Sequence, residues 1–255
     1  MPIYFGSQLI KEARVGTQLY DGYVGSQMVH GKAKLPAFTY DGTYEEHPAS
    51  YYGLSGDYTV VAFLGSGTLR MSRTAKVDVF MVGGGAAGTK SITATYSAKG
   101  GGGGYTQTIR KIEVGTEAIN VVIGEGGATS SAQGESTTFG EYSVNGGTNP
   151  DGGSGGGGTA GAASVVGSGG SDGSDGGNSG GTGQNTTTRA FAEETGKLFA
   201  GGGGAHKQYA NGNGGEGGGA KANNAAMPNT GGGGGGTFSG QFAGGSGIVL
   251  MRPAQ

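Results

Sequence analysis

The segment with the most chemical potential joins an apolar strand to a run of glycines. Lys76-Val77-Asp78-Val79-Phe80-Met81-Val82 leads into Gly83-Gly84-Gly85-Ala86-Ala87-Gly88. This fits strand plus G-x-G-x-x-G, which lays a dinucleotide pyrophosphate on the N-terminus of a following helix. That chemistry needs the helix. Thr89-Lys90-Ser91-Ile92-Thr93-Ala94-Thr95-Tyr96 is β-branched and turn-like instead, and five glycines at 100–104 occupy the place of a second strand ending in an acidic residue. In so glycine-rich a chain the match is cheap, and no cofactor is expected.

The remaining reactive residues form no machinery. His30, His47 and His206 are far apart, without metal-ligand spacing. Asp172, Asp175 and Asn178 could hold Ca²⁺ but lack the apolar position of the nonapeptide calcium repeats, so they read as solvated turns. Glu193-Glu194 are neighbours on a loop with no fixed geometry for acid–base work. With no nucleophile and base to pair, the expectation is a protein that binds rather than catalyses, with no metal.

Composition narrows the classes further. Of 255 residues 64 are glycine, none is cysteine or tryptophan, and the net charge is −2. No electropositive footprint suggests nucleic acid, and no disulfide or thiolate site is possible. The longest apolar run, Val60-Val61-Ala62-Phe63-Leu64, is far short of the roughly 20 residues of a membrane span, so no membrane insertion is expected. No basic and apolar secretory leader stands at Met1-Pro2-Ile3-Tyr4-Phe5. Synthesis in a cytoplasm, with release by lysis, is the corresponding expectation.

The elements that must position any site are β-strands. Alternation and β-branched content predict strands at 58–64, 68–72, 76–82, 105–112, 117–123, 138–144 and 248–252. Leu, Ile, Val and Phe number only nine across residues 124–247, too few for an ordinary core. Yet Ile248-Val249-Leu250-Met251 is apolar on both faces, as an inner strand is. The glycine segment is therefore an insertion closed at both ends.

Residues 83–247 hold 54 of the glycines, in clusters separated by short segments bearing aromatic or charged residues. No strict G-X-Y period supports collagen. A flexible linker is the bland alternative. The favoured reading is a bundle, or sandwich, of extended polyglycine-II helices, three residues per turn, whose N–H and C=O groups pair with neighbours. The fold class is thus mostly β and irregular, with N-terminal β-hairpin repeats, a small β-sheet base, the glycine bundle with tip loops, and no significant α-helix.

The N-terminus repeats itself: Phe5-Gly6-Ser7-Gln8-Leu9, Val15-Gly16-Thr17-Gln18-Leu19 and Val24-Gly25-Ser26-Gln27-Met28. Three small hairpins are expected, each with a three-residue loop that sets Phe5 against Leu9, Val15 against Leu19 and Val24 against Met28. The domains read as 1–35 hairpin repeats for attachment, 36–57 a turn-rich connector, and 58–255 the glycine-rich unit.

With these marks assembled, the chain resembles the phage glycine-rich domain of tail-fibre tip proteins. The likeness rests on Gly67-Thr68-Leu69, on Val77-Asp78-Val79-Phe80-Met81-Val82 running into Gly83-Gly84-Gly85, on the return strand at Tyr105, and on Gly244-Gly245-Ser246-Gly247-Ile248-Val249-Leu250-Met251-Arg252. Layout is similar to the receptor-binding adhesins capping long tail fibres of some T-even phages. That resemblance implies a virion location at the distal end of a tail fibre and a docking partner in a trimeric tail-fibre protein. It also implies a bacterial surface receptor, either an outer-membrane protein or a glycan. The tryptophan those adhesins carry near the N-terminus is absent, and the Gly-Ser/Thr-Gln repeats are extra, so Phe5, Leu9, Val15, Leu19, Val24 and Met28 are assigned to fibre attachment from this sequence alone.

Receptor contacts are expected in the interruptions, where large side chains are otherwise scarce: Tyr96, Arg189, Phe191, Phe199, His206, Tyr209, Phe238 and Phe242. Loops should alternate between the two ends of the bundle, so some of these would face the virion. The rivals to adhesion are a structural decoration of fibre or baseplate and a glycan depolymerase, for which no paired carboxylate motif is evident.

Overall fold

The computed structural model describes residues 34–91, 98–149, 153–159, 188–207 and 210–255, together with the paired strands within 1–33. Three antiparallel hairpins come first: β1 (Ile3–Phe5) with β2 (Gln8–Ile10), β3 (Arg14–Val15) with β4 (Gln18–Leu19), and β5 (Gly22–Val24) with β6 (Gln27–Val29). Their register corrects the expected loop length. Phe5 pairs with Gln8 and Tyr4 with Leu9, Val15 pairs with Gln18, and Val24 with Gln27. Two residues, not three, separate the strands, the loop length whose turn best matches strand twist. The predicted Phe5–Leu9, Val15–Leu19 and Val24–Met28 pairs are therefore not register partners. The side chains of these six attachment candidates lie outside the described residues.

Two five-stranded antiparallel sheets follow. The strands are β7 (Phe38–Tyr40), β8 (Tyr44–Pro48), β9 (Thr59–Phe63), β10 (Gly67–Met71), β11 (Ala75–Val82), β12 (Thr106–Val114), β13 (Ile119–Val122), β14 (Thr137–Phe139), β15 (Tyr142–Val144) and, after a short β16–β17 hairpin (His206–Lys207 and Ala210–Asn211), β18 (Ile248–Pro253). One sheet runs β15-β14-β13-β10-β7, the other β12-β11-β18-β9-β8. The stretch read as a connector thus supplies an edge strand to each sheet. The strand expected over 138–144 is a hairpin, broken where Gly140 takes φ +59°.

Period-two alternation sorts the core into two layers. Val61, Phe63, Val77, Val79, Met81, Val249 and Met251 face Leu69, Met71, Val121 and Phe139 of the other sheet. Val60, Ala62, Phe80, Val82, Ile248 and Leu250 point the opposite way, onto Tyr52, Leu54, Tyr58, Phe191 and Phe199. Strands β11 and β18 are covered on both faces, which is why they are apolar almost throughout. No α-helix occurs among the described residues; two 3-10 turns, Ala49–Tyr52 and Ala190–Ala192, lie against the second layer.

Beyond the sheets the chain forms straight rods of glycine. Residues 83–89 show the rule. Gly84 N–H donates to Glu135 O and Ala87 N–H to Ala132 O; Gly85 to Gly245 O and Gly88 to Phe242 O; Ala86 to Gly102 O and Thr89 to Lys99 O. Each third residue returns to the same neighbour, and that neighbour has stepped back by three. Residues 100–105 repeat it against 158 and 155, 234 and 231, and 148 and 145. This is three-residue screw symmetry with lateral hydrogen bonds, the polyglycine-II arrangement. A seven-residue rod spans roughly 20 Å at about 3.1 Å per residue.

Glycine is required here for space, not for φ. At Gly85, Gly88, Gly101 and Gly103 the backbone lies outside the left-handed region, yet an added Cβ would come closer than 3.0 Å to a neighbouring carbonyl oxygen. The hydrogen in that position points at the carbonyl, so Cα–H···O contacts supplement the N–H bonds.

Candidate functional site

The hydrogen-bond ladder orders the rods along one axis and so assigns loops among the described residues to an end. Gly83 follows β11 directly and its N–H donates to Tyr105 O, just before β12; Thr89, six residues on, pairs with Lys99, and the chain returns to the sheets at β12. His206 pairs both ways with Ala98, at 2.8 and 2.9 Å, and Thr237 donates to Thr89 O at 3.0 Å. Lys90, Ala98, the β16–β17 hairpin, residues 222–225 and residues 237–242 therefore gather at the end remote from the sheets. Residues 188–200, 216–218 and 227–230 lie at the sheet end, where Ala200 donates to Thr230 O and Gly201 to Gly217 O.

The predicted contact residues divide between these ends. His206, Phe238 and Phe242 are half-buried at the remote end. His206 and Phe238 meet edge to face with ring centroids 4.4 Å apart. Burial lowers the His206 pKa below the ordinary histidine value, and its enclosed Nδ1 has no hydrogen-bond partner among the described residues. Tyr96 and Tyr209 lie outside the described residues, in stretches whose flanks, Ser91 and Ala98, Lys207 and Ala210, are at that same end.

Arg189, Phe191 and Phe199 are placed otherwise. Phe191 and Phe199 are fully buried, their rings 6.1 and 5.5 Å from Phe80. They are core residues, not displayed contacts: the sheet's second face needs a cover, and these are the large apolar side chains of the insertion that can supply it. Arg189 Nη1 donates to Gly196 O at 3.1 Å and bridges to Leu198 through its backbone, closing the loop that carries Phe191.

Beneath that loop lies a charged cluster that sequence reasoning missed. Asp78 and Arg252 are both buried. Arg252 Nη1 reaches Glu193 Oε1 at 2.6 Å and donates to Tyr58 Oη at 2.8 Å, while its guanidinium carbon stands 4.3 Å from the Phe191 ring centroid. Asp78 Oδ1 accepts from the Lys111 N–H at 2.9 Å, where β12 bulges and Lys111 takes φ 56°. Arg110 Nη2 donates to Phe191 O at 2.6 Å. Burial opposes the charge on Arg252, but the Glu193 hydrogen bond and the surrounding Tyr58, Glu193 and Asp78 outweigh it and raise its pKa. Burial also raises that of Tyr58. The cluster serves to fasten the loop. Only the lone Asp78 in an apolar strand could have signalled it.

The glycine fingerprint is likewise structural: residues 83–91 continue as a rod, without the helix that would receive a pyrophosphate. Among the described residues no group of three or more His, Asp or Glu could hold a metal ion, and no helix is long and apolar enough to cross a membrane.

A two-sheet base carrying a laterally hydrogen-bonded glycine bundle defines a scaffold class. The glycine-rich domain family matches residues 63–254, and the chain belongs to that family. The match begins at Phe63, the last residue of β9, and takes in β10 onward, the whole bundle and β18. Comparison with curated proteins gave no match.

Proposed function

We propose that this protein is a phage tail-fibre tip adhesin, docking on a trimeric fibre through its N-terminal hairpins and binding a bacterial surface receptor with the remote-end loops. The observation that supports this most is polarity. The chain passes from the repeats into β7 and β8 at the sheet end, while Lys90, Ala98, the β16–β17 hairpin and the turn at 237–242 stand at the opposite end of a rigid bundle. A stiff scaffold that separates an attachment end from a loop-bearing end suits recognition. His206, Phe238, Phe242, Tyr96 and Tyr209 are the contacts this reading favours.

The test is saturable binding of the purified protein to host cells with competition against phage adsorption. Blocked adsorption supports the adhesin. Co-purification with fibres but no cell binding makes the chain a structural decoration, and release of sugar from cells makes it a depolymerase; either overturns the reading.

A further inference from the structure

The last strand of one sheet is open. Among the described residues β8 pairs with β9 alone, Tyr44 opposite Phe63, Glu45 opposite Ala62 and His47 opposite Val60. The bonds flanking that ladder fix which residues turn inward. Leu64 N–H donates to Thr43 O at 2.9 Å and Ala49 N–H to Tyr58 O at 3.0 Å. Bonded pairs alternate with unbonded ones in an antiparallel ladder, so Glu45 and His47 bond to β9 as Thr43 and Ala49 do. Tyr44 and Glu46 turn their N–H and C=O groups away from the sheet, and Pro48 adds an outward C=O with no N–H. Tyr44 and Glu46 are exposed, and no other backbone group among the described residues reaches them. The opposite edge of the same sheet is blunted: β12 bulges where Lys111 takes φ 56°, and Arg110 beside it holds Phe191 O.

Each face of the open edge carries an aromatic group. Tyr44 is 39% exposed and lies edge to face with Phe38, ring centroids 5.4 Å apart. His47, on the other face, stacks at 4.0 Å on Tyr51, which is 54% exposed. An added strand would meet Tyr44 with one set of alternate side chains and the His47–Tyr51 pair with the other, while main-chain bonds supply affinity. Charge and reach identify the occupant. A second copy is disfavoured, because the full-length symmetric pairing of β8 with itself is centred on Glu46 and sets that carboxylate opposite its own copy. β6 ends at Val29 and β7 begins at Phe38, so the 8 residues between them hold the third hairpin within about 30 Å of this sheet edge. Whatever the hairpins dock on is therefore kept beside β8.

We infer that the fibre adds an extended segment to the open edge of β8, as a further strand of that sheet, with a lysine or arginine opposite Glu46. This rests on the adhesin reading and names a second element of its attachment. The experiment co-expresses the full-length chain with the fibre protein of the same phage and follows single-amide deuterium exchange in the free chain and in the purified complex. The Tyr44 and Glu46 amides should exchange freely in the chain alone and slow tenfold or more in the complex, while those of Glu45 and His47 are protected in both. Glu46→Pro removes an outward N–H without touching the ladder to β9. Its melting profile should hold and its co-purification should fall tenfold or more. Glu46→Gln keeps that N–H and should lose only about two- to fivefold, the worth of one exposed ion pair. Should the proline unfold the chain, the exchange pattern of the wild type still decides.

Three results would overturn the inference and leave the adhesin standing: Tyr44 and Glu46 amides unprotected in a complex that forms, Glu46→Pro co-purifying as well as Glu46→Gln, or Glu46→Gln binding as tightly as wild type. A chain that binds host cells but never the fibre protein overturns the inference together with the docking half of that reading. Protection of Tyr44 and Glu46 in a complex that binds no host cell supports the inference and makes the chain a structural decoration.

Discussion

Asp78 and Arg252, 174 residues apart in the chain, are register partners across β11 and β18, and Arg252 Nε donates to Asp78 Oδ2 at 3.2 Å. One strand enters the glycine insertion and the other leaves it. The pair therefore ties both mouths of the insertion together, and Glu193 and Phe191 bring one of its loops down onto the same guanidinium.

Arg252→Met should be severely destabilising. It leaves buried Asp78 with only Arg110, 3.4 Å away, and Glu193 without its cation, and breaking a buried pair from one side costs about 3–5 kcal/mol. Urea denaturation of the variant should show that loss, and Asp78→Leu/Arg252→Met should recover much of it. A single variant as stable as wild type would refute the role given to the pair.

Gly101→Ala and Gly115→Ala form a matched test of the close approach between rods. A Cβ at Gly101 would strike Ala86 O, whereas at Gly115 the nearest atom is Thr74 Oγ1 at 4.0 Å. The first substitution should cost at least the 1–3 kcal/mol typical of overpacking. The second should stay within about 0.5 kcal/mol, as surface changes do. Thermal melts of the two proteins decide it, and equal melting temperatures would count against the bundle.

Phe199→Ala and Phe242→Ala should behave oppositely. Phe199 is buried against Phe80, and its truncation should cost about 3–5 kcal/mol. Phe242 is half-buried at the remote end, so its loss should reduce cell binding while moving the melt little. Paired melting and cell-binding assays separate the two roles.

The remote end should loosen in mild acid. His206 is held neutral by burial, so its folded pKa lies below its unfolded value of about 6.5. Stability from that site is intact above this pH and is lost as pH falls toward the folded pKa, because the unfolded state takes up the proton first. The protection of the Ala98 and His206 amides, corrected for the slower intrinsic exchange in acid, should fall below about pH 6.5 in wild type and not in a His206→Phe variant.

Much of the base was legible in the sequence. Strands β9 to β13 and β18 carry their alternation or double-sided apolar character openly, and the returning run at Ile248 showed that the glycine segment closes on itself. The edge strands β7 and β8 were hidden because Asp41-Gly42 and Pro48 read as turns and edge strands bury little. Phe191 and Phe199 read in sequence as displayed aromatics because a sparse local sequence gives no sign of which distant sheet face lacks a cover. The Asp78–Arg252–Glu193 cluster depends on three remote segments converging, which no local pattern encodes.

The central claim is that residues with almost no apolar side chains are rigid because their backbones bond sideways to one another. Hydrogen–deuterium exchange resolved to single amides tests it directly. Gly85, Gly88, Gly101 and Gly103 should exchange as slowly as the strand amides of Val79 and Leu250. Exchange of those glycines at the rate of an unstructured chain, in a protein whose sheets stay protected, would contradict the account.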